Sequence, residues 1–312
     1  MSVHSLKTGN SNVKKERAIM KTERFRGVFP YLVTPLDNKQ NVNSAIVFKL
    51  CDNLIAAGVH GLAALGSTGE FAYLTASQKI AMVESVVAAA KRRVPVLAGV
   101  SATTIADAVR QAKACEKAGV DGLVVAIDAY FPINHRGVVD YFTSVAKAVE
   151  LPIVIYTNPN YQKATLSIEV LNELSDLENI VALKDASSNT GRLLSLLNRI
   201  EGRLDIFSAS SHIPAAVMMM GGKGWMAGPA CVAPKQSIEL YDACISGRWS
   251  EAVALQRRLW SLNEAFEKYN LAACMKAALE FKGYEVGTAI APQQQLNEIE
   301  LEDLKSVVEH CE

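Results

Sequence analysis

From residue 27 onward, short apolar runs alternate eight times with longer amphipathic stretches, and this alternation narrows the possible folds more than any other feature. The runs are Gly27–Val33, Gly61–Gly66, Pro95–Val100, Gly122–Ile127, Pro152–Tyr156, Ile180–Lys184, Leu204–Ser208 and Gly224–Ala227. Helical periodicity fills the gaps at Ser44–Ala57, Ala76–Arg92, Ile105–Ala118, Arg136–Val149, Ser167–Ser175, Thr190–Arg199 and Pro214–Met219, and Pro234–Ser246 follows the last run. Glycines stop several helices just before a strand, as at Gly58, Gly119 and Gly221. Pro95 and Pro152 stand at strand starts, where a missing N–H costs least. Strands that are apolar throughout need cover on both faces, which means a parallel sheet wrapped in helices. Eight such strands close into a barrel. A doubly wound sheet would open on a glycine-rich nucleotide turn, whereas here the first strand runs into Thr34-Pro35-Leu36-Asp37. The expected fold is α/β, a (β/α)8 TIM barrel over 27–248.

Beyond residue 248 the alternation stops. Glu251–Tyr269, Leu271–Lys282 and Leu301–His310 read as helices, so 249–312 is expected to pack on the barrel as a C-terminal helical extension. Residues 1–26 carry seven basic side chains (Lys7, Lys14, Lys15, Arg17, Lys21, Arg24 and Arg26) against Glu16 and Glu23, and read as a flexible basic tail. Over the 312 residues, 32 Lys and Arg balance 32 Asp and Glu, which favours neither nucleic acid nor an anionic membrane as partner. The six cysteines (Cys51, Cys115, Cys231, Cys244, Cys274 and Cys311) are dispersed without a CxxC pair and read as reduced thiols filling helix faces. There is no apolar run of about 18 residues to cross a membrane and no apolar core of a secretory signal. A cytoplasmic location is expected.

In such barrels the chemistry sits at the C-terminal ends of the strands. Those ends read Gly66-Ser67-Thr68-Gly69-Glu70 after strand two, Tyr156-Thr157-Asn158-Pro159 after strand five, Lys184-Asp185-Ala186-Ser187 after strand six and Ser208-Ala209-Ser210-Ser211 after strand seven. Alternation in Ile180–Lys184 puts Ala182 and Lys184 on one face and Val181 and Leu183 on the other. With the bulkier pair toward the helices, Lys184 points into the barrel. Burial would lower its pKa and free an amine able to form a Schiff base with a 2-keto acid. The plainer alternative is a lysine snorkelling at a strand end or pairing with Asp185. Tyr156, which shares its face with Val154, is either a proton-transferring phenol or an amphipathic core residue. The Gly66–Gly69 turn offers amides and two hydroxyls to a carboxylate or phosphate, and equally suits a plain capped turn. Glu70 reads as a base or as a structural acid.

Other features fail on position. Gly221-Gly222-Lys223-Gly224 precedes strand eight and so lies at the opposite, stability face. His135 and His212 have no acidic residue at ligand spacing, which disfavours a metal site. Met218–Met220 reads as helix-end packing.

On these motifs, the chain resembles the dihydrodipicolinate synthase / N-acetylneuraminate lyase family of pyruvate-dependent class I aldolases over roughly residues 26 to 297. The shared features are Gly66-Ser67-Thr68-Gly69-Glu70, Tyr156-Thr157-Asn158-Pro159, a lysine 28 residues after that tyrosine, and Gly221-Gly222-x-Gly224. The resemblance implies a TIM barrel, usually tetrameric, working through a pyruvate imine with no metal or organic cofactor. It also implies Lys184 as the Schiff-base lysine and Tyr156 as the proton-transferring phenol. Ser67 and Thr68 would hold the pyruvate carboxylate, with the Ser67 hydroxyl in a proton relay. Tyr130, or Phe131 in an ungapped comparison, would complete that relay from a neighbouring subunit. Gly69, Tyr161, Ser208, Met226 and Gly228 complete the implied substrate-binding set, and His212 and Gly228 look specialised. Synthases of the family carry an arginine five residues after the tyrosine, where this chain has Tyr161. Losing that guanidinium removes a carboxylate clamp for the second substrate.

The expected function is therefore a lyase or aldolase acting on a 2-keto acid and an aldehyde, or dehydrating a 2-keto-3-deoxy acid, through a Lys184 imine, as a homo-oligomer. Dihydrodipicolinate synthase itself is the second reading. A non-catalytic keto-acid-binding barrel is a third, and a phosphate-binding isomerase is the weakest.

Overall fold

The computed structural model describes residues 25–159, 162–164, 166–187, 189–200, 202–209 and 213–311. The basic tail up to Arg24, together with Tyr161 and Ser210 to His212, lies outside the described residues. Eight strands form one parallel sheet: β1 (Gly27–Pro30), β2 (Leu62–Ala64), β3 (Val96–Ala102), β4 (Gly122–Ile127), β5 (Ile153–Thr157), β6 (Ile180–Asp185), β7 (Asp205–Ser208) and β8 (Gly224–Ala227). Their order is β1-β8-β7-β6-β5-β4-β3-β2. The ring is closed by a parallel bridge between Tyr31 and Ala63, with the Leu32 N–H donating to the Ala63 carbonyl and the His60 N–H to the Val28 carbonyl. The expected eight-stranded barrel is what forms.

Helices cover the outside: α1 (Ser44–Ala56), α2 (Ala76–Ala90), α3 (Ile105–Ala118), α4 (His135–Ala148), α5 (Ile168–Leu174), α6 (Thr190–Ile200) and α7 (Pro214–Met219). Side-chain caps start six of them, at Asn43, Thr104, Asn134, Ser167, Asn189 and Thr75, the last with a full capping box to Gln78. A short helix α8 (Pro229–Val232) precedes α9 (Pro234–Ile245). The chain ends in α10 (Trp249–Lys268), α11 (Leu271–Phe281) and α12 (Glu298–Cys311). All six cysteines are free and buried on helices.

Two apolar layers follow from strand alternation. The outer one lies between strands and helices and contains Leu62, Val125, Ile155, Leu183 and Ile206. The inner one fills the barrel with Phe25, Phe29, Tyr31, Leu97, Val154, Ala182, Phe207 and Met226, among others. Phe29 meets Phe25 and Phe207 edge-on at centroid distances of 6.2 Å. Gly61 makes this possible, because a Cβ there would lie 2.0 Å from Phe29 Cε1. One expectation is corrected in β6. Val181 joins the inner layer instead of facing the helices, because the β5–β6 register slips between Ile153 and Val154, skipping Val181. Beyond the slip, alternation resumes and delivers Lys184 inward, level with Tyr156 on β5 and Phe207 on β7.

Candidate active site

Lys184 ends the inner row of β6 and is only 6% exposed. Its Nζ lies 4.1 Å from the ring centroid of Tyr156 and 4.1 Å from that of Tyr31. Burial pulls its pKa down from 10.5 to about 7, so near neutrality about half of the population is the free amine. Pairing with Asp185 is not what the structure shows: among the described residues no carboxylate reaches Lys184 within 4.0 Å. The Asp185 carboxylate instead accepts from the Ser187 N–H at 2.8 Å and its hydroxyl at 3.0 Å.

Tyr156 is held from its own loop. Its hydroxyl accepts from Asn158 Nδ2 at 2.9 Å, and its carbonyl accepts from Gln162 Nε2 at 3.0 Å. Gln162 Oε1 in turn accepts the Asn158 N–H at 2.8 Å, which fixes the strand end where the phenol emerges.

In the turn after β2, the N–H groups of Gly69 and Glu70 donate to the carbonyls of Gly66 and Ser67. Among the described residues nothing accepts from the Ser67 and Thr68 amides, which leaves them available to an anion beside the half-buried Ser67 and buried Thr68 side chains. Gly69 is corrected from amide donor to structural residue. Its own carbonyl accepts from Thr34 Oγ1 at 2.8 Å, and a Cβ would lie 2.8 Å from the Leu32 carbonyl oxygen. Gly228 meets the same turn, since a Cβ there would lie 2.6 Å from Thr68 Oγ1.

Of the other expected residues, Ser208 is fully buried, with its hydroxyl turned to the Ala209 carbonyl, and Met226 belongs to the inner layer. Tyr130 is not brought to Lys184 within one chain. It is 76% exposed and packs edge-on against the equally exposed Phe131 at 4.9 Å, with Lys163 Nζ 5.6 Å from its ring. Glu70 is a structural acid, bonded to the C-terminal segment through Ile290, Gln293 and Lys276. His135 does have an acidic neighbour in space, Glu173 at 3.0 Å, which spacing along the chain did not reveal. Among the described residues no cluster of three or more His, Cys, Asp or Glu could hold a metal ion, and no helix is long and apolar enough to cross a membrane.

Tyr31 is the site residue that sequence reasoning missed. It follows β1, is 4% exposed, and lies against Lys184 because β1 closes the ring between β8 and β2. Burial raises its hydroxyl pKa, so it is a neutral phenol. Gly66 makes room for it, since a Cβ there would lie 2.2 Å from Tyr31 Cδ1. The signal was available: the rule that searches strand ends applies to the first strand as well.

A barrel with a desolvated lysine at its C-terminal rim, flanked by phenols and an amide turn, belongs to the aldolase class of lyases. The dihydrodipicolinate synthetase family model matches residues 24–311, and the chain is a member of that family. It is 35% identical over 259 residues to the 4-hydroxy-tetrahydrodipicolinate synthase of Phenylobacterium zucineum, covering 83% of this chain and 88% of that one. Among solved structures, a putative dihydrodipicolinate synthetase from Pseudomonas aeruginosa superposes with a TM-score of 0.88 at 27% identity, covering 92% of this chain and all of that one. YagE of E. coli K12, a prophage protein of the dihydrodipicolinic acid synthase family solved in complex with pyruvate, gives 0.86 at 26% identity over 92% of this chain and 98% of its own.

Proposed function

We propose that Lys184 forms an imine with pyruvate and that the derived enamine adds to, or is released from, an aldehyde other than aspartate semialdehyde. The observation that carries this reading is a buried lysine with a pKa near 7 and no carboxylate partner among the described residues, set between two phenols at the strand ends. The pyruvate complex of YagE, a relative of the same fold, supports the choice of keto acid.

In this mechanism the neutral amine attacks C2 and the C–N bond forms. Tyr156, its hydroxyl held by Asn158, moves protons at the former carbonyl oxygen, which leaves as water. The product is a protonated C=N, an electron sink that needs no metal or organic cofactor. The Ser67 and Thr68 amides take the carboxylate. Loss of a C3 proton gives the enamine, whose C3 bonds to the aldehyde carbon; cleavage is the reverse. The exposed Tyr130 would join the proton path from a second copy of the chain, within a homotetramer acting in the cytoplasm. Tyr161, in place of a clamping arginine, supports an aldehyde without the carboxylate of aspartate semialdehyde.

Borohydride added to enzyme and pyruvate should leave a reduced three-carbon adduct on Lys184 by peptide mass spectrometry; an unmodified Lys184 removes the proposal. The trapping rate should also fall about tenfold per pH unit below a midpoint near pH 7, because only the unprotonated amine attacks. A profile still flat at pH 5.5 would show that the amine is not the titrating group.

The name of the Phenylobacterium relative favours a second reading, condensation of pyruvate with aspartate semialdehyde despite Tyr161. A coupled assay that shows no turnover at high semialdehyde excludes it.

A further inference from the structure

We infer that Tyr31 is a catalytic residue whose ring face, at the same distance as that of Tyr156, stabilises the positive charge that the Lys184 nitrogen acquires as the imine forms. This rests on the Schiff-base reading above.

The amine that attacks is neutral, and the product nitrogen is cationic. In R–NH2 + O=C + H⁺ → R–NH⁺=C + H2O, one proton is taken up from solvent, the carbonyl oxygen departs as water, and one unit of charge appears at Nζ. That charge appears on a residue that is only 6% exposed, where water solvates it poorly. No carboxylate among the described residues stands within 4.0 Å to balance it. What the nitrogen does have is two aromatic faces, each centroid 4.1 Å away and well inside the range in which a ring quadrupole attracts a cation. Tyr156 is there for proton transfer in any case. The fold goes to some length to place Tyr31. Its N–H is anchored on the Ala227 carbonyl at 3.2 Å, the Cys231 thiol lies 3.1 Å from its own carbonyl, and Gly66 is vacated for its ring. Its hydroxyl makes no hydrogen bond to any described residue, so the ring rather than the oxygen is what the surroundings position.

The test compares two near-isosteric replacements, Tyr31→Phe and a pentafluorinated phenylalanine at the same position, whose ring face is electron-poor. Imine equilibrium is read as the fraction of Lys184 trapped by borohydride at subsaturating pyruvate. The fluorinated ring should lower the equilibrium constant about thirtyfold relative to Tyr31→Phe, the equivalent of about 2 kcal/mol for a desolvated cation–π pair. The same change should move the pH midpoint of trapping lower than in Tyr31→Phe, because the ammonium loses the same ring; a merely space-filling residue would leave that midpoint in place. Equal trapping and equal midpoints in the two variants overturn the inference. No trapping in the wild type removes the Schiff-base reading first, and the role of Tyr31 with it.

Discussion

Replacing Lys184 by methionine is expected to abolish turnover while making the protein more stable. Removing the nucleophile of a covalent mechanism leaves only binding and positioning, so activity should fall by about 10⁴-fold or more. Stability should move the other way. The amine has an ordinary pKa of 10.5 when unfolded and about 7 when folded, so the folded state disfavours its proton. A lysine whose folded pKa is depressed weakens folding wherever the unfolded chain is protonated. That cost is fully present below pH 7 and fades as pH rises toward 10.5. It amounts to about 4 kcal/mol at pH 7 and roughly a third of that at pH 9.5. Methionine keeps the length of the stem and drops the charge. Urea unfolding of both proteins at the two pH values should therefore show a stabilisation of Lys184→Met that shrinks on going from pH 7 to pH 9.5. A variant destabilised at pH 7, or one retaining a tenth of the activity, would mean that the lysine is held for packing rather than for chemistry.

The parts of this site that were legible in the sequence are those that depend on one strand at a time. Apolar runs and glycine stops locate the eight strands, and the period of two at Ala182 and Lys184 aims the lysine inward whatever its neighbours do. The same period misplaced Val181, because a register slip belongs to a pair of strands and leaves no mark on either alone. The strand-end rule reaches Tyr31, but what the residue faces is hidden for a related reason. As an aromatic at a strand end it looks like ordinary core, and its meaning comes from barrel closure, which sets it against a lysine 153 positions away. Tyr130 carries its implied role only if a second chain covers it, and no pattern within one chain encodes where that chain sits. Glu70 stood undecided between base and structural acid because its partners are more than 200 residues downstream.

Those partners make the second large effect. The Glu70 backbone is left-handed, with φ 56°, and its carboxylate is turned away from Lys184 toward the C-terminal segment. Oε1 accepts the Ile290 N–H at 2.6 Å and Gln293 Nε2 at 2.7 Å. Oε2 meets Lys276 Nζ at 2.6 Å, a charge contact rather than an aligned hydrogen bond, and that ammonium donates to the Thr288 carbonyl at 2.8 Å. Both residues are at most 2% exposed. Breaking a buried pair by removing one partner strands the other charge in a medium that cannot solvate it, at about 3–5 kcal/mol. Lys276→Met should thus lower the free energy of unfolding by that amount in urea. Glu70→Gln should do much the same. The double variant should lose clearly less than the two single losses added together, because no isolated charge remains. The functional consequence is directional. Glu70 closes the turn that presents the Ser67 and Thr68 amides, so the single variants should weaken pyruvate binding and raise KM more than they lower the rate of the Lys184 step. If both single changes cost under 1 kcal/mol and leave KM unmoved, the pair is incidental and the turn holds itself.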